Sequence, residues 1–179
     1  MEVVTLEQPT DRLALEAGGG SRAAFAQLVR LETASVWQAC SRLLRDTGEA
    51  EDAVQETFLK AWLALPRYRP EGRFRGWLAR IAHRVCLDRL RARKEWTSLA
   101  REPSAPAAPL QLDDQDEIAA AVSELGPRER AVIHARYTLG LSGPEIAAEL
   151  ELTPGNVRVI LHRAIGSLRL ALKGTGTDD

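Results

Sequence analysis

EDAVQETFLKAWLAL, residues 51–65, decides how this chain is read. At about 100° per residue, Val54, Phe58, Ala61 and Leu65 fall on one side of a helix, with Thr57 and Trp62 at its margins. That stripe is core. The opposite side carries Asp52, Gln55, Glu56, Leu59 and Leu63. A solvated face is normally polar throughout, so two leucines among carboxylates and an amide fit a docking surface. The other reading is an ordinary charged face with two stray apolar residues.

Pro66 closes that helix, and PRYRPEGRF follows, residues 66–74. Its arginines, Tyr68 and Phe74 suit single-stranded nucleic acid, where rings stack on bases and guanidinium groups hold phosphates. Equally, it reads as a basic surface loop pinned to the core by its two aromatics. From Arg75 to about Lys94 the period is helical again: Phe74, Leu78, Ile81 and Val85 on the buried side, extended by Ala82 and Cys86. Arg80, His83, Arg84, Arg91 and Lys94 gather on another side, with Leu87 among them. A row of cations on one helix face is the footprint for following a phosphate backbone, and snorkelling arginines on a plain surface helix would look the same.

Upstream, residues 1–10 read as a loose tail and Asp11 to Ala17 as a short helix stopped by Gly18-Gly19-Gly20. Ser21 is placed to cap a helix showing Phe25, Leu28 and Val29, and Val36, Ala39, Cys40, Leu43 and Leu44 continue the period to a turn at Asp46-Thr47-Gly48. Downstream, TSLAREPSAPAAPLQ, residues 97–111, reads as a flexible linker, and the acidic DDQDE after it opens a helix. Gly126-Pro127 starts a helix through Tyr137, with Ala131, Val132 and Ala135 inside, ended by Gly140. Ser142 caps a short helix, GPEIAAEL, packed through Ile146, Ala147 and Leu150. Leu152-Thr153-Pro154-Gly155 is a turn with Thr153 as cap and Pro154 at the first helical position. The last helix buries Val157, Leu161, Ala164, Ile165 and Leu168. It shows Arg158, Val159, His162, Arg169 and Lys173, with Arg163 beside them.

Short helix, tight turn and a helix with a basic exposed face make a helix-turn-helix. Exposed positions in its first turns reach base edges in a major groove: Arg158 suits guanine, Val159 a thymine methyl, and His162 or Arg163 base or phosphate.

Composition agrees with an all-α chain. Of 179 residues 45% are hydrophobic and only 5% aromatic, and no alternating run is long enough for a strand. The expected architecture is two small helical domains joined by a flexible linker: a tail at 1–10, a domain at 11–96, the linker at 97–112, a helix-turn-helix domain at 113–173 and a tail at 174–179. Net charge is −1, so its distribution carries the information. Between Arg67 and Glu95 ten Arg or Lys face three acids, Glu102 to Glu124 holds six acids and no base, and after Glu151 four bases precede the next acid. Two anion-facing surfaces are implied.

The N-terminus has neither a basic n-region nor an apolar h-region, and no stretch of about 18 apolar residues occurs, so the expected location is cytoplasmic. Cys40 and Cys86 are isolated and read as buried thiols. No nucleophile–base pair, metal-ligand spacing or phosphate-binding glycine loop appears, so neither an enzyme, a cofactor nor a small-molecule substrate is expected.

Taken together, AEDAVQETFLKAW, FRGWLARIAHRVCLDRLRAR and SELGPRERAVIHARYTLGLSGPEIAAELELTPGNVRVILHRAIGSLR resemble, in order, three motifs of the extracytoplasmic-function sigma factors of bacterial RNA polymerase. The resemblance spans roughly residues 11–172. It implies a core-polymerase-binding helix with Asp52, Gln55, Glu56, Leu59 and Leu63 on the contacting face. It also implies minus-ten strand capture by Tyr68, Phe74, Trp77, Arg80, Arg84 and Arg91, and minus-thirty-five readout by Asn156, Arg158, Val159, His162 and Arg163. Arg84 stands where the family commonly has Asn in an IAxN pattern, and Asn156 where its turn often has Thr. Core RNA polymerase, promoter DNA and an anti-sigma factor, often membrane-anchored in the family, are the implied partners. Two other readings belong beside it. A stand-alone helix-turn-helix repressor would bind a palindrome unaided, and a sigma mimic would sequester an anti-sigma factor without touching DNA.

Overall fold

Local capping sets where the helices begin in the computed structural model, which describes residues 9–70, 74–93, 96 and 114–174. Ser21 Oγ accepts the Ala24 N–H at 3.2 Å, Asp46 Oδ1 the Glu49 N–H at 2.8 Å, and Thr153 Oγ1 the Asn156 N–H at 3.2 Å. Ser142 and Glu145 form a reciprocal capping box. The helices are α1 Pro9–Gly18, α2 Arg22–Leu44, α3 Thr47–Ala64, α4 Phe74–Arg91, α5 Asp114–Glu124, α6 Pro127–Ile133, α7 Gly143–Glu149 and α8 Pro154–Gly174. A 3-10 turn, Leu65–Arg67, follows α3, and a π-helical turn, His134–Thr138, extends α6. No strand occurs among the described residues, so the fold is all-α.

Three boundaries differ from the sequence expectation. Helix α1 starts at Pro9, so residues 9 and 10 are helical and Asp11 lies in the first turn. Thr47 and Gly48 belong to α3, because Arg45 takes φ +65° and Asp46 caps the helix directly. The helix expected to run unbroken from Pro127 to Tyr137 widens into the π turn before Gly140, at φ +67°, ends it. The linker expected at 97–112, most of the tails and Lys94 lie outside the described residues.

The chain forms two units, Met1–Ser41 with Asp46–Cys86, and Arg42–Arg45 with Leu87–Asp179. In the first, Ala14 and Ala17 of α1, Leu28, Val36 and Cys40 of α2, Ala53, Phe58 and Ala61 of α3, and Phe74, Leu78, Val85 and Cys86 of α4 are buried. Phe25 ties α2 to α3, its ring centroid 6.5 Å from Phe58 and 4.9 Å from Trp62. In the second, α8 packs against α5, α6 and α7, and Leu125, Ile133 and Ala164 form a cluster extended by Leu161, Ile165 and Leu168. Arg130 is buried there because its guanidinium donates to the Leu125 and Leu43 carbonyls.

Candidate protein- and nucleic-acid-facing surfaces

On α3 the buried positions Ala50, Ala53, Thr57, Phe58 and Ala61 leave the other side open. Thr57, expected at the margin, is fully buried, its hydroxyl donating to the Ala53 carbonyl at 2.6 Å. Asp52, Gln55, Leu59 and Leu63 are exposed and Glu56 is half-buried, so these residues share one surface. Leu59 is 60% and Leu63 70% exposed, which leaves most of each side chain in water. Glu56 pairs with Lys60 one turn on, at 2.9 Å. An i,i+4 surface pair is worth only about 0.3–0.5 kcal/mol, so Lys60 yields readily to an incoming cation.

At the end of α3 the chain turns through Leu65–Arg67 into Tyr68, and α4 begins at Phe74; Glu71, Gly72 and Arg73 lie outside the described residues. Tyr68, Phe74 and Trp77 form a ring cluster with centroids 5.0 to 5.7 Å apart. Phe74 is only 2% exposed, whereas Tyr68 and Trp77 are half-buried. The first turn of α4 is gripped by carboxylates from two other helices. Asp11 Oδ1 accepts the Tyr68 hydroxyl at 2.5 Å and the Phe74 N–H at 3.2 Å. Glu32, buried on α2, accepts Arg75 Nε at 3.0 Å and Nη2 at 3.2 Å. Those hydrogen bonds, and then the opposite charge of Glu32, raise the Arg75 pKa above its ordinary value, against a small opposing effect of burial.

The cation row on α4 is narrower than its sequence suggests. Arg80 and Arg84 are exposed at i, i+4, and Asp88 continues that line as an acid. His83 and Leu87, expected among the cations, are fully buried, as is Leu90, so buried positions are not confined to one side of α4. Arg91, in the second unit, is half-buried, donates to the Glu149 carbonyl at 2.7 Å and lies 3.5 Å from Glu151 and 3.6 Å from Asp88.

The helix-turn-helix is well defined. Leu150 ends α7 by donating to the Ile146 carbonyl, Glu151 takes φ +53°, and the Leu152 N–H returns to the Ala147 carbonyl at 2.8 Å. Thr153 and Pro154 then start α8. Val157, Ile160 and Ala164 are buried, while Asn156, Arg158, Val159, His162 and Arg163 are all exposed, Val159 by 49%. Two guanidiniums, an amide, an imidazole and a branched methyl pair on the first turns of one helix are the groups a major-groove reader needs.

Comparison with known proteins agrees with this division. Residues 28–95 match Sigma-70 region 2, and residues 115–168 match Sigma-70, region 4. The ECF RNA polymerase sigma factor SigL of Mycobacterium tuberculosis is 33% identical over 172 residues, covering 88% of this chain and 96% of that protein. This chain is an ECF sigma factor of the sigma-70 family. SigW of Bacillus subtilis, also an ECF sigma factor, is 28% identical over 86% of this chain and 91% of its own length. Among solved structures, CnrH in complex with the cytosolic domain of CnrY is similar at TM-score 0.58 and 29% identity, covering 93% of this chain and 99% of that one. The sigma factor RpoE, in complex with the anti-sigma factor NepR from Bartonella quintana, shares the fold at TM-score 0.55 and 23% identity, covering 83% and 96%. As a sigma factor the chain directs transcription initiation at promoters, a regulatory role.

Sequence reading missed Asp11 and Glu32. Their partners lie 57, 63 and 43 residues away, and periodicity reports a residue's face, never its distant partner.

Proposed function

We propose that this sigma factor docks on core RNA polymerase through the α3 surface of Asp52, Gln55, Glu56, Leu59 and Leu63, and reads promoter DNA with both of its sigma regions. The observation that carries the docking reading is the pair of largely exposed leucines set among acidic and amide groups on a helix whose other side is core. Residues 11–96 serve polymerase binding and the minus-ten element, and 113–173 serve the minus-thirty-five element through Asn156, Arg158, Val159, His162 and Arg163. Tyr68 and Trp77 stack against an extruded base, Phe74 supports them, and Arg80 and Arg84 hold the strand's phosphates; Arg91, which also donates to the Glu149 carbonyl, is assigned to the same element. Extruding a base costs a few kcal/mol, which stacking and a fitted site offset.

The chain acts in the cytoplasm and without catalysis of its own. No helix among the described residues is long and apolar enough to cross a membrane. An anti-sigma factor is its proposed regulatory partner, because two similar structures, CnrH with CnrY and RpoE with NepR, are such complexes or are bound to a cytosolic domain.

The test is co-elution of the full chain with core RNA polymerase, beside an Asp52→Ala/Gln55→Ala/Glu56→Ala variant. Co-elution of the wild type alone supports the surface. Equal co-elution of both moves the contact elsewhere.

A further inference from the structure

Helix α1 lies before the segment that matches Sigma-70 region 2, yet it touches both stems of the loop between Tyr68 and Phe74. At its N-terminal end Asp11, with no solvent exposure, bonds the Tyr68 hydroxyl on one stem and the Phe74 N–H on the other through the same Oδ1 atom. At its C-terminal end Gly18 presses on the turn before Tyr68, so closely that a Cβ there would lie 2.8 Å from the Leu65 carbonyl oxygen.

The choice of a carboxylate is informative. The N–H of Phe74 is one of the donors that a helix start leaves unsatisfied, and a negative charge beside it is favoured by the helix dipole. A nearby Ser or Asn would supply such a cap at low cost. Here the cap comes instead from a buried group on another helix, whose Oδ2 is buried with no hydrogen-bond partner among the described residues. Burying a carboxylate in that condition is costly. What it alone provides is one atom that fixes Tyr68 and Phe74 relative to each other.

We propose that Asp11 is a positioning residue for base capture: by bonding both Tyr68 and Phe74 it fixes the ring surface of Tyr68 and Trp77 on which an unstacked base stacks. This rests on the reading of that loop as the minus-ten strand-capture element.

The experiment uses holoenzyme assembled from core RNA polymerase and the full chain, either wild type or carrying Asp11→Ala, Tyr68→Phe or both. Each is challenged with a pool of single-stranded DNA randomised over six positions, and then with the strand that wild type enriches. Affinity for core and the thermal midpoint are measured alongside, since a purely structural role would move those first. Either single variant should bind the preferred strand about tenfold more weakly, as expected for a lost hydrogen bond to a charged group, with core affinity within about twofold of wild type. The double variant should be no weaker than the weaker single one, because both remove the same bond. Unchanged strand affinity and preference in Asp11→Ala would overturn the proposal and leave the strand-capture reading standing, as would additive losses in the double variant. A wild-type holoenzyme that enriches no sequence would overturn both.

Discussion

Truncating Leu59 and Leu63 together should uncouple polymerase binding from folding. Fully burying a leucine is worth about 1.5–3 kcal/mol. With 60% and 70% of these side chains still exposed, an interface that covers them gains roughly 1–2 kcal/mol from each. Leu59→Ala/Leu63→Ala removes most of that, so Kd for core polymerase should rise on the order of tens- to several hundred-fold. The same change should leave the chain's own stability within about 0.5 kcal/mol, because neither side chain is part of the α3 core stripe of Ala50, Ala53, Thr57, Phe58 and Ala61. Fluorescence anisotropy of labelled chain titrated with core measures the first quantity and urea unfolding the second. Core affinity within twofold of wild type, at unchanged stability, would refute the assignment of this surface.

Arg75→Ala leaves Glu32 without its two-armed partner. Discounted because Arg75 itself is largely solvated, the cost should be roughly 1–3 kcal/mol by urea unfolding, and Glu32→Gln/Arg75→Ala should recover part of it. Gly18→Ala should lower stability by about 1–3 kcal/mol, since the clash is with a backbone oxygen and the helix or the turn must shift; an unchanged unfolding midpoint would mean the contact relaxes freely. In holoenzyme binding to a duplex minus-thirty-five element, Arg158→Ala should lose about 1–3 kcal/mol of discrimination at one base pair. A uniform loss across sequences would assign Arg158 to phosphate instead.

How much of this was legible in the sequence depends on the range of the interaction. Ser21, Ser142 and Thr153 cap helices as read, because a cap and its N–H partner lie three residues apart. The helix-turn-helix followed from the same local signals, and its five proposed reading residues are all exposed. The α3 surface was visible because one clean stripe of small and apolar residues defines its opposite side. Helix α4 misled at His83 and Leu87, since a helix whose buried positions are not confined to one side has no single polar face for periodicity to find. The burial of Arg130 was not legible, because the two carbonyls that make it tolerable are non-local or at a helix end. Asp11 was passed over for the same reason: its worth lies in two groups more than fifty residues away.

The most direct measurement of the central claim is in vitro transcription from a library of promoter-length fragments by core RNA polymerase, with and without this chain. Start sites should appear only with the chain and share two sequence elements at a fixed spacing, lost when the α3 surface is substituted. A set of start sites unchanged by adding the chain, under conditions where it co-elutes with core, would contradict it.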